Sequence, residues 1–428
     1  MALSRRDFLK NGIQLAALGM VAPSFLVKAA YAINNDAVTP PLPGEHNGDA
    51  SAVPDSRSRN VLVVLQLSGG NDGLGTVIPY ADPTYYRLRP HLAVPREQVL
   101  PLTDKMGLNP GLKKLRDLYT AGHVAVLQSV GYPNPNRSHF RAMEIWQTGR
   151  PDVNEPTGWL GRLLAGDDCE DENCRIRGLN IGSSVPRTLY TESTIVPSLT
   201  NTANYQFRAD GRFNRDRQAQ LDAIHDVCNH SGAGGVAEFV RLAALEAFDS
   251  SDLLQQIVGP TDQNTGSANN PLGEGLKLIS KVIAADVGAR VFYISIGGFD
   301  THSQQARTHS DLMTQIDDAI SSFYSTLEAS GHDDRVLLMT FSEFGRRVAE
   351  NASQGTDHGT ALPMFLVGKG VKGGFYGTPP DLNALQDGDI THQMDFRGVY
   401  SSILKQWMNV DPSRVIEGSF PLLDFVRV

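Results

Sequence analysis

Acidic and histidine side chains recur in this sequence beside its most apolar runs. They stand in four short motifs, SGGNDG, GGFDTH, SEFGRR and GTDHG. The candidate ligands in these motifs are Asp72, Asp300, His302, Glu343, Asp357 and His358. Carboxylates that lie close together repel one another unless a positive charge lies among them, and a divalent cation commonly supplies it. Carboxylate oxygens and imidazole nitrogens suit Zn²⁺ or Mn²⁺ and can admit Mg²⁺ or Ca²⁺, so the motifs predict a site for one or two divalent ions.

Each motif taken alone has a plainer interpretation. An Asp that follows a strand is often only a helix N-cap, and an isolated Asp-x-His is more often structural than metal-binding. The metal-site hypothesis therefore depends on the recurrence of the pattern at four separate places in the chain.

A serine at the start of a predicted helix is the candidate nucleophile. The segment YPNPNRSHFRAMEIWQTG, residues 132–149, leads to Ser138 through two prolines and two asparagines. A hydroxyl at a helix N-terminus lies at the positive end of the helix dipole, which favours a bound phosphate or sulfate. Ser138 is equally well suited to be a helix N-cap, so both interpretations stay open. His139 is open too, as a ligand, an acid or base, or a packed surface residue.

Four polar residues beside these motifs are candidates for substrate binding. Arg137 and Arg141 lie on either side of Ser138, close enough in sequence to hold an oxyanion. Arg346 follows Glu343 and could bind an anion or pair with that carboxylate. Asn71, next to Asp72, completes the set.

Buried strands and amphipathic helices must position these side chains. Continuous apolar runs, typical of strands buried on both faces, occur at 61–67, 124–130, 290–298, 335–341 and 364–368. Helical patterns lie between them, at 235–248 and 311–330. This alternation indicates an α/β protein with a parallel sheet and helices on both faces. Ligands in open α/β sheets bind at the carboxyl ends of the strands, so we expect the motifs at one edge of the sheet.

The N-terminal segment predicts export. Residues 4–10, SRRDFLK, resemble the twin-arginine signal, and the apolar run after them ends in a small-x-small cleavage site at residues 30–32. We therefore predict a twin-arginine signal peptide over 1–32, a Pro-, Gly- and Ser-rich linker over 33–60, and an α/β domain over 61–428. The expected location is the periplasm or the medium, with the export machinery as a partner and membrane contact only during export.

Composition excludes some classes of partner. The 428-residue chain has a formal net charge of −9 and no long basic run after residue 32, which argues against nucleic acid. Its three cysteines, Cys169, Cys174 and Cys228, do not make a disulfide framework. Cys169 and Cys174 could pair across an acidic loop, the loop could bind Ca²⁺ weakly, or it could simply be solvated.

The order of these motifs resembles the alkaline phosphatase and sulfatase superfamily. More closely, the chain resembles one bacterial secreted family within it, domain of unknown function 1501. The motifs that carry this resemblance are SRRDFLK, LSGGNDGL, NRSHF, GGFDTH, TFSEFGRR, GTDHG and DFRGVY.

The superfamily resemblance implies a three-layer α/β/α sandwich with a mostly parallel sheet and a one- or two-metal site. It also implies hydrolysis of phosphate or sulfate esters, with Ser138 in the nucleophile position and Asp72, Asp300, His302 and His358 in ligand positions. The sequence departs from this pattern at Ser342-Glu343-Phe344, where superfamily members commonly carry an adjacent Asp-His pair. The second metal site is therefore expected to be altered, weakened or absent.

Two functional hypotheses follow. The first is an exported metal-dependent hydrolase of a small or polymeric phosphate or sulfate ester. The alternative is a non-catalytic exported binding protein that keeps the fold and a structural metal, which Phe344 at a ligand position favours. An oxidoreductase is disfavoured because the sequence contains neither a dinucleotide fingerprint nor a cysteine cluster.

Overall fold

The computed structural model describes residues 60–166, 176–191, 196–200, 250–251, 253–258 and 270–427. The predicted signal peptide, all but the last residue of the linker, the helix over 235–248 and the three cysteines lie outside these residues.

Buried apolar runs form most of the strands in the described part of the chain. In chain order the strands are β1 Val61–Leu67, β2 Val77–Ile78, β3 Leu100–Pro101, β4 Gly107–Leu108, β5 Val124–Gly131, β6 Gly178–Ile181, β7 Ser198–Leu199, β8 Val291–Ile296, β9 Val336–Phe341, β10 Leu362–Val367, β11 Gly374–Tyr376 and β12 Met394–Asp395. The five predicted runs correspond to β1, β5, β8, β9 and β10, and differ from them by at most two residues at either end. The short strands β6, β7, β11 and β12 were not predicted, because so few residues carry no clear period.

Amphipathic segments form the helices that cover the sheet. These are α1 Gly73–Thr76, α2 Pro83–Leu88, α3 Lys113–Thr120, α4 His139–Thr148, α5 Trp159–Ala165, α6 Pro271–Ala284, α7 Gln305–Ser330 and α8 Phe396–Ser402, which a π-helical turn, Ile403–Trp407, continues. None of the helices within the described ranges is long and apolar enough to cross a membrane.

The central sheet is mostly parallel, with β1 in its interior. The strand order is β11-β5-β10-β9-β1-β8-β6-β7, and β12 pairs with β5. Strand β1 pairs in parallel with both β8 and β9, whereas β10 is antiparallel to both of its neighbours. A separate antiparallel sheet contains β2, β4 and β3.

Alternate side chains of β1 enter two different cores. Val61, Val63 and Leu65 pack in a core with residues of α3, α6 and α7. Leu62 and Val64 pack in a second core with residues of α4, α5 and α8. Burying one such side chain contributes about 1.5–3 kcal/mol, so apolar contacts on both faces stabilise the central strand. The predicted α/β sandwich with helices on both faces is confirmed.

Strand direction explains why the polar motifs gather at one edge of the sheet. Gln66 pairs with Ser295 of β8 and Phe341 of β9, so the carboxyl ends of these three strands lie side by side. Strand β5 ends at the same edge, since it runs antiparallel to β10. The GTDHG motif precedes β10 and still reaches this edge, because an antiparallel strand begins where its neighbours end.

Candidate metal centre

Three histidine rings converge on one oxygen of Asp300. Asp300 Oδ1 lies 3.0 Å from His302 Nε2, 3.2 Å from His358 Nε2 and 3.4 Å from His139 Nε2. His302 Nε2 also lies 3.0 Å from His358 Nε2. The three histidines come from the loop after β8, the loop before β10 and the first residue of α4. These three segments therefore meet beside Asp300.

The other ring nitrogen of each histidine faces a hydrogen-bond acceptor. His139 Nδ1 lies 2.8 Å from Glu343 Oε1, and His302 Nδ1 lies 3.2 Å from Asp357 Oδ1. His358 Nδ1 lies 2.8 Å from the main-chain carbonyl oxygen of Arg137. A carbonyl or an ionised carboxylate only accepts, so Nδ1 donates in all three rings. A ring that carries its only proton on Nδ1 presents the lone pair of its Nε2 atom to the cluster.

This arrangement of lone pairs matches a metal site. Nitrogens without hydrogens 3.0 Å apart repel each other unless a cation lies between them. Ligand atoms about 2.0–2.1 Å from a tetrahedral ion lie about 3.3 Å from one another. The distances from Asp300 Oδ1 to the Nε2 atoms of His139 and His358 are close to this value, and the donor atoms of these three residues all lie within 4.8 Å of one another. His302 Nε2 lies beside Asp300 and His358. His139 Nε2 is also buried without any hydrogen-bond partner. The donor set therefore fits a metal ion.

Glu343 and Asp357 support ligands rather than joining them. Glu343 is buried, and its Oε1 also accepts a hydrogen bond from the main-chain N–H of Gly69 at 2.9 Å. Asp357 Oδ1 also accepts from Asn351 Nδ2 at 3.2 Å. Carboxylates that orient metal-bound histidines are common outer-shell groups. Both were predicted as ligands, and the structure places each of them beside the Nδ1 atom of a histidine of the cluster.

Arg346 holds Asp300 in place. Its buried guanidinium donates to Asp300 Oδ1 at 2.7 Å. It also donates to four main-chain carbonyl oxygens, those of Gly69, Gly70, Phe299 and Thr356. These bonds give Arg346 a role in joining the loops around Asp300, and substrate binding by this residue stays a prediction.

The charge of Arg346 keeps Asp300 ionised. Partial burial would by itself raise the pKa of the Asp300 carboxyl, but the hydrogen bond and charge of Arg346 lower that pKa to about 2. The Asp300 side chain is 49% exposed, so a ligand can reach it from solvent.

Phe344 packs against the histidine rings. Its ring centre lies 4.9 Å from that of His139 and 4.6 Å from that of His358. Gly70, at φ +80°, passes so close to this ring that an added Cβ would lie 2.4 Å from it. Glycine is required there for the main chain to close over the aromatic ring.

Asp72 lies apart from the cluster, in a buried ion pair. Its Oδ2 accepts from Arg89 Nη1 and Gln305 Nε2, each at 2.6 Å. Burial alone would raise the pKa of the Asp72 carboxyl, but the Arg89 guanidinium outweighs that effect and holds the pKa below its usual value. The positive charge that the sequence assigned to a metal ion is supplied here by an arginine. The structure therefore does not support Asp72 as a ligand.

Three of the remaining candidates have partners in the protein. The Asn71 side chain is buried against Thr76 and His309. The Arg137 guanidinium pairs with Asp389 and is 40% exposed, and Arg141 pairs with Glu144. Substrate binding by these residues stays a prediction.

Ser138 is exposed at the start of α4. Its hydroxyl makes no capping hydrogen bond, and its main-chain N–H donates to Asn136 Oδ1 at 2.8 Å. Ser138 directly precedes His139 in the chain, and its hydroxyl is not occupied as a cap.

His139 is the ligand that the sequence left undecided. It belongs with Asp300 and His358 to a group of donors that all lie within 4.8 Å of one another. The motif NRSHF carried a signal, a histidine at a helix start that follows a buried strand. Only its contacts with Glu343 and Asp300, far away in the sequence, make it a candidate ligand.

A cleft of about 640 Å³ opens beside the cluster. His139, Asp300 and Glu343 line one part of it, and Phe140 and Arg187 line another. The metal centre is therefore accessible to a molecule larger than water.

Comparison with known families identifies the chain. The model of the family described as protein of unknown function (DUF1501) matches residues 119–418. The chain belongs to this family. The matched part of this DUF1501 protein contains all four clustered residues, His139, Asp300, His302 and His358. No curated protein matches the chain.

Solved structures with a similar fold include sulfatases and alkaline phosphatase superfamily proteins. The PsFucS1 sulfatase from Pseudoalteromonas sp. is 13% identical, with 95% of this chain and 75% of that chain covered and a TM-score of 0.41. An alkaline phosphatase superfamily protein from Vibrio parahaemolyticus is 12% identical, with 84% and 72% covered and a TM-score of 0.32. An alkaline phosphatase from the Antarctic bacterium TAB5 is 12% identical, with 73% and 92% covered and a TM-score of 0.30. These identities and TM-scores support no conclusion about the reaction of the DUF1501 protein.

Proposed function

We propose that this DUF1501 protein is an exported metal-dependent hydrolase of a phosphate or sulfate ester. The observation that carries the proposal is the convergence of the Nε2 atoms of His139, His302 and His358 on the Asp300 carboxylate at the side of an open cleft. A purely structural ion is normally closed off by its four ligands, whereas catalytic sites keep an accessible position. The half-exposed side chains of Asp300 and His302 favour the catalytic kind.

The donor set favours one transition-metal ion. Three imidazole nitrogens suit zinc, manganese or iron, whereas magnesium and calcium prefer oxygen ligands. The carboxylates that a second ion would require are already engaged, Asp72 by Arg89 and Asp357 by His302. We therefore propose a single ion per chain.

Ser138 is the proposed nucleophile. A divalent ion bound by the cluster would polarise the ester and favour ionisation of an attacking oxygen. The uncapped Ser138 hydroxyl lies at the N-terminus of α4, where the helix dipole stabilises negative charge on a transferred group. Its oxygen forms the new bond to phosphorus or sulfur while the bond to the alcohol oxygen breaks. The serine proton is released, the departing alkoxide takes up a proton, and water then cleaves the serine ester.

The packing of Phe344 is compatible with the hydrolase proposal. Its ring packs on His139 and His358, two proposed ligands, and we propose that it holds these rings in place.

Replacing Ser138 by alanine is expected to lower turnover at least about 10³-fold, because a covalent step is lost. Turnover would be measured on a panel of aryl phosphates and aryl sulfates, and metal content by elemental analysis of protein purified without chelators. The metal content of the variant should equal that of the wild type. Ser322→Ala, an exposed serine on α7, is the matched control. Full activity in Ser138→Ala would exclude the hydroxyl as nucleophile, and an inactive wild type with bound metal would favour the binding-protein hypothesis.

Replacing Arg5 and Arg6 by lysine is expected to retain the protein in the cytoplasm, because we propose that SRRDFLK is a twin-arginine signal. The measurement is the ratio of protein in periplasmic and cytoplasmic fractions, by immunoblot. The same exchange at Arg57 and Arg59 provides a control with an equal change in composition. Unchanged export of the Arg5/Arg6 variant would indicate an ordinary secretory signal.

A further inference from the structure

One wall of the cleft beside the candidate metal centre contains a guanidinium group. Arg187 begins a short 3₁₀ helix, Arg187–Leu189, and lines the same cleft as His139 and Asp300. Its side chain is 38% exposed, so the guanidinium is neither buried in the core nor fully solvated. The sequence did not single out this residue, because no motif surrounds it.

Glu144 is shared between two arginines. Its Oε1 accepts from Arg187 Nη1 and its Oε2 accepts from Arg141 Nη1 at 2.8 Å. Arg141 is further engaged, since its Nη2 donates to the carbonyl oxygen of Pro151 at 2.6 Å. Because Arg141 takes one oxygen of Glu144, this carboxylate is not devoted to Arg187 alone.

Arg187 keeps donors for a ligand. Among the described residues, its guanidinium makes one hydrogen bond, from Nη1 to Glu144. A guanidinium has five N–H donors in a planar fork that matches the oxygens of phosphate or sulfate. The bond to Glu144 holds the group in place and leaves most of the fork free.

An apolar group lies on the same cleft. Phe140, in the first turn of α4, is 91% exposed, the highest value among the large exposed apolar side chains. It directly follows the proposed ligand His139. An exposed aromatic ring beside a polar site commonly provides a face on which an organic group can pack.

We propose that Arg187 and Phe140 form a two-part substrate subsite. Arg187 binds the oxygens of the anionic group, and Phe140 contacts the apolar face of the alcohol part. This inference rests on the proposed function, because that proposal supplies the metal ion toward which the bound ester is oriented. It defines the substrate class as anionic monoesters of alcohols with a flat apolar face, and it disfavours neutral esters.

The test is ligand binding, measured by calorimetry on metal-loaded protein whose metal content is checked for each variant. The probes are inorganic phosphate, phenylphosphonate and methylphosphonate. Arg187→Gln is expected to weaken the affinity for all three about 10- to 100-fold, the range of hydrogen bonds to charged groups. The variant should fold normally, because Glu144 keeps its bond to Arg141. Arg150→Gln is the matched control, since Arg150 pairs with Glu155 and Glu417 instead.

Phe140→Ala is expected to weaken phenylphosphonate binding about tenfold and to leave methylphosphonate unchanged. Leu422→Ala, another exposed apolar residue, should affect neither probe.

The results separate this inference from the hydrolase proposal. If Arg187→Gln binds phosphate as tightly as the wild type, or if the wild type binds none of the probes, the subsite is overturned even when an ester is hydrolysed. An unchanged preference for phenylphosphonate in Phe140→Ala overturns the part assigned to that ring. If Arg187-dependent binding is found but no ester is hydrolysed, the subsite stands and the hydrolase proposal fails.

Discussion

Replacing His358 by alanine is expected to remove the metal ion from the purified protein. His358 Nε2 lies 3.2 Å from Asp300 Oδ1 and 3.0 Å from His302 Nε2, so its loss takes one of four donors from the cluster. Loss of an outer-shell partner alone typically costs 10- to 100-fold in metal affinity, so loss of a ligand should cost about 100-fold or more. Ester hydrolysis should disappear with the metal.

The measurement is metal per chain by elemental analysis, combined with titration of the apoprotein. The wild type should carry about one ion, because two carboxylates that a second ion would need are already engaged, Asp72 by Arg89 and Asp357 by His302. His91→Ala is the control, since His91 is an exposed histidine whose Nδ1 contacts Glu350 away from the cluster. A His358→Ala protein that holds as much metal as the wild type would contradict the proposed ligand set, and two ions per chain would contradict the single-ion proposal.

Replacing Arg346 by lysine is expected to lower the free energy of unfolding by about 3–5 kcal/mol, although the charge is kept. The guanidinium donates to carbonyl oxygens in three separate loops, after β1, after β8 and before β10, as well as to Asp300. An ammonium group has three donors on a flexible stem and cannot reproduce this planar set. Each buried carbonyl left without a donor costs about 1–3 kcal/mol.

Urea unfolding of the metal-free protein measures this effect separately from metal binding. Arg347→Lys is the matched control, because Arg347 is the neighbouring residue and only half-buried. It should shift the free energy of unfolding by less than about 0.5 kcal/mol. Equal shifts in the two variants would show that the hydrogen-bond geometry of Arg346 does not stabilise the loops around the metal centre.

Much of the architecture could be predicted from the apolar runs. A run such as VLVVLQL has no polar face, so it can only be a strand covered on both sides, and the alternation with helices implies the layers. The edge at which the polar motifs meet followed from the same pattern. The exact pairing of the strands could not be predicted in this way. The direction of β10 depends on its contacts with β5 and β9, which no local sequence period encodes.

Prediction of the site from residue types was less complete. Asp300, His302 and His358 lie together as expected, whereas Asp72 lies in an ion pair with Arg89. A carboxylate after a strand has the same appearance in sequence whether a metal, an arginine or a histidine neutralises it. Arg89 lies in a loop segment with no motif, so the sequence offered no signal for this pair.

The sequence by itself determined the fold class, the family, and the edge of the sheet where carboxylates and imidazoles gather, because burial and its periodicity are written into local residue patterns. Only the tertiary structure decided which groups are donors and which support them. Glu343 faces His139 from 204 positions away, and Arg346 reaches loops that are hundreds of residues apart. A hydrogen bond forms only when the donor and acceptor atoms are positioned to within about an ångström. Long-range packing determines these positions, and local sequence does not specify them.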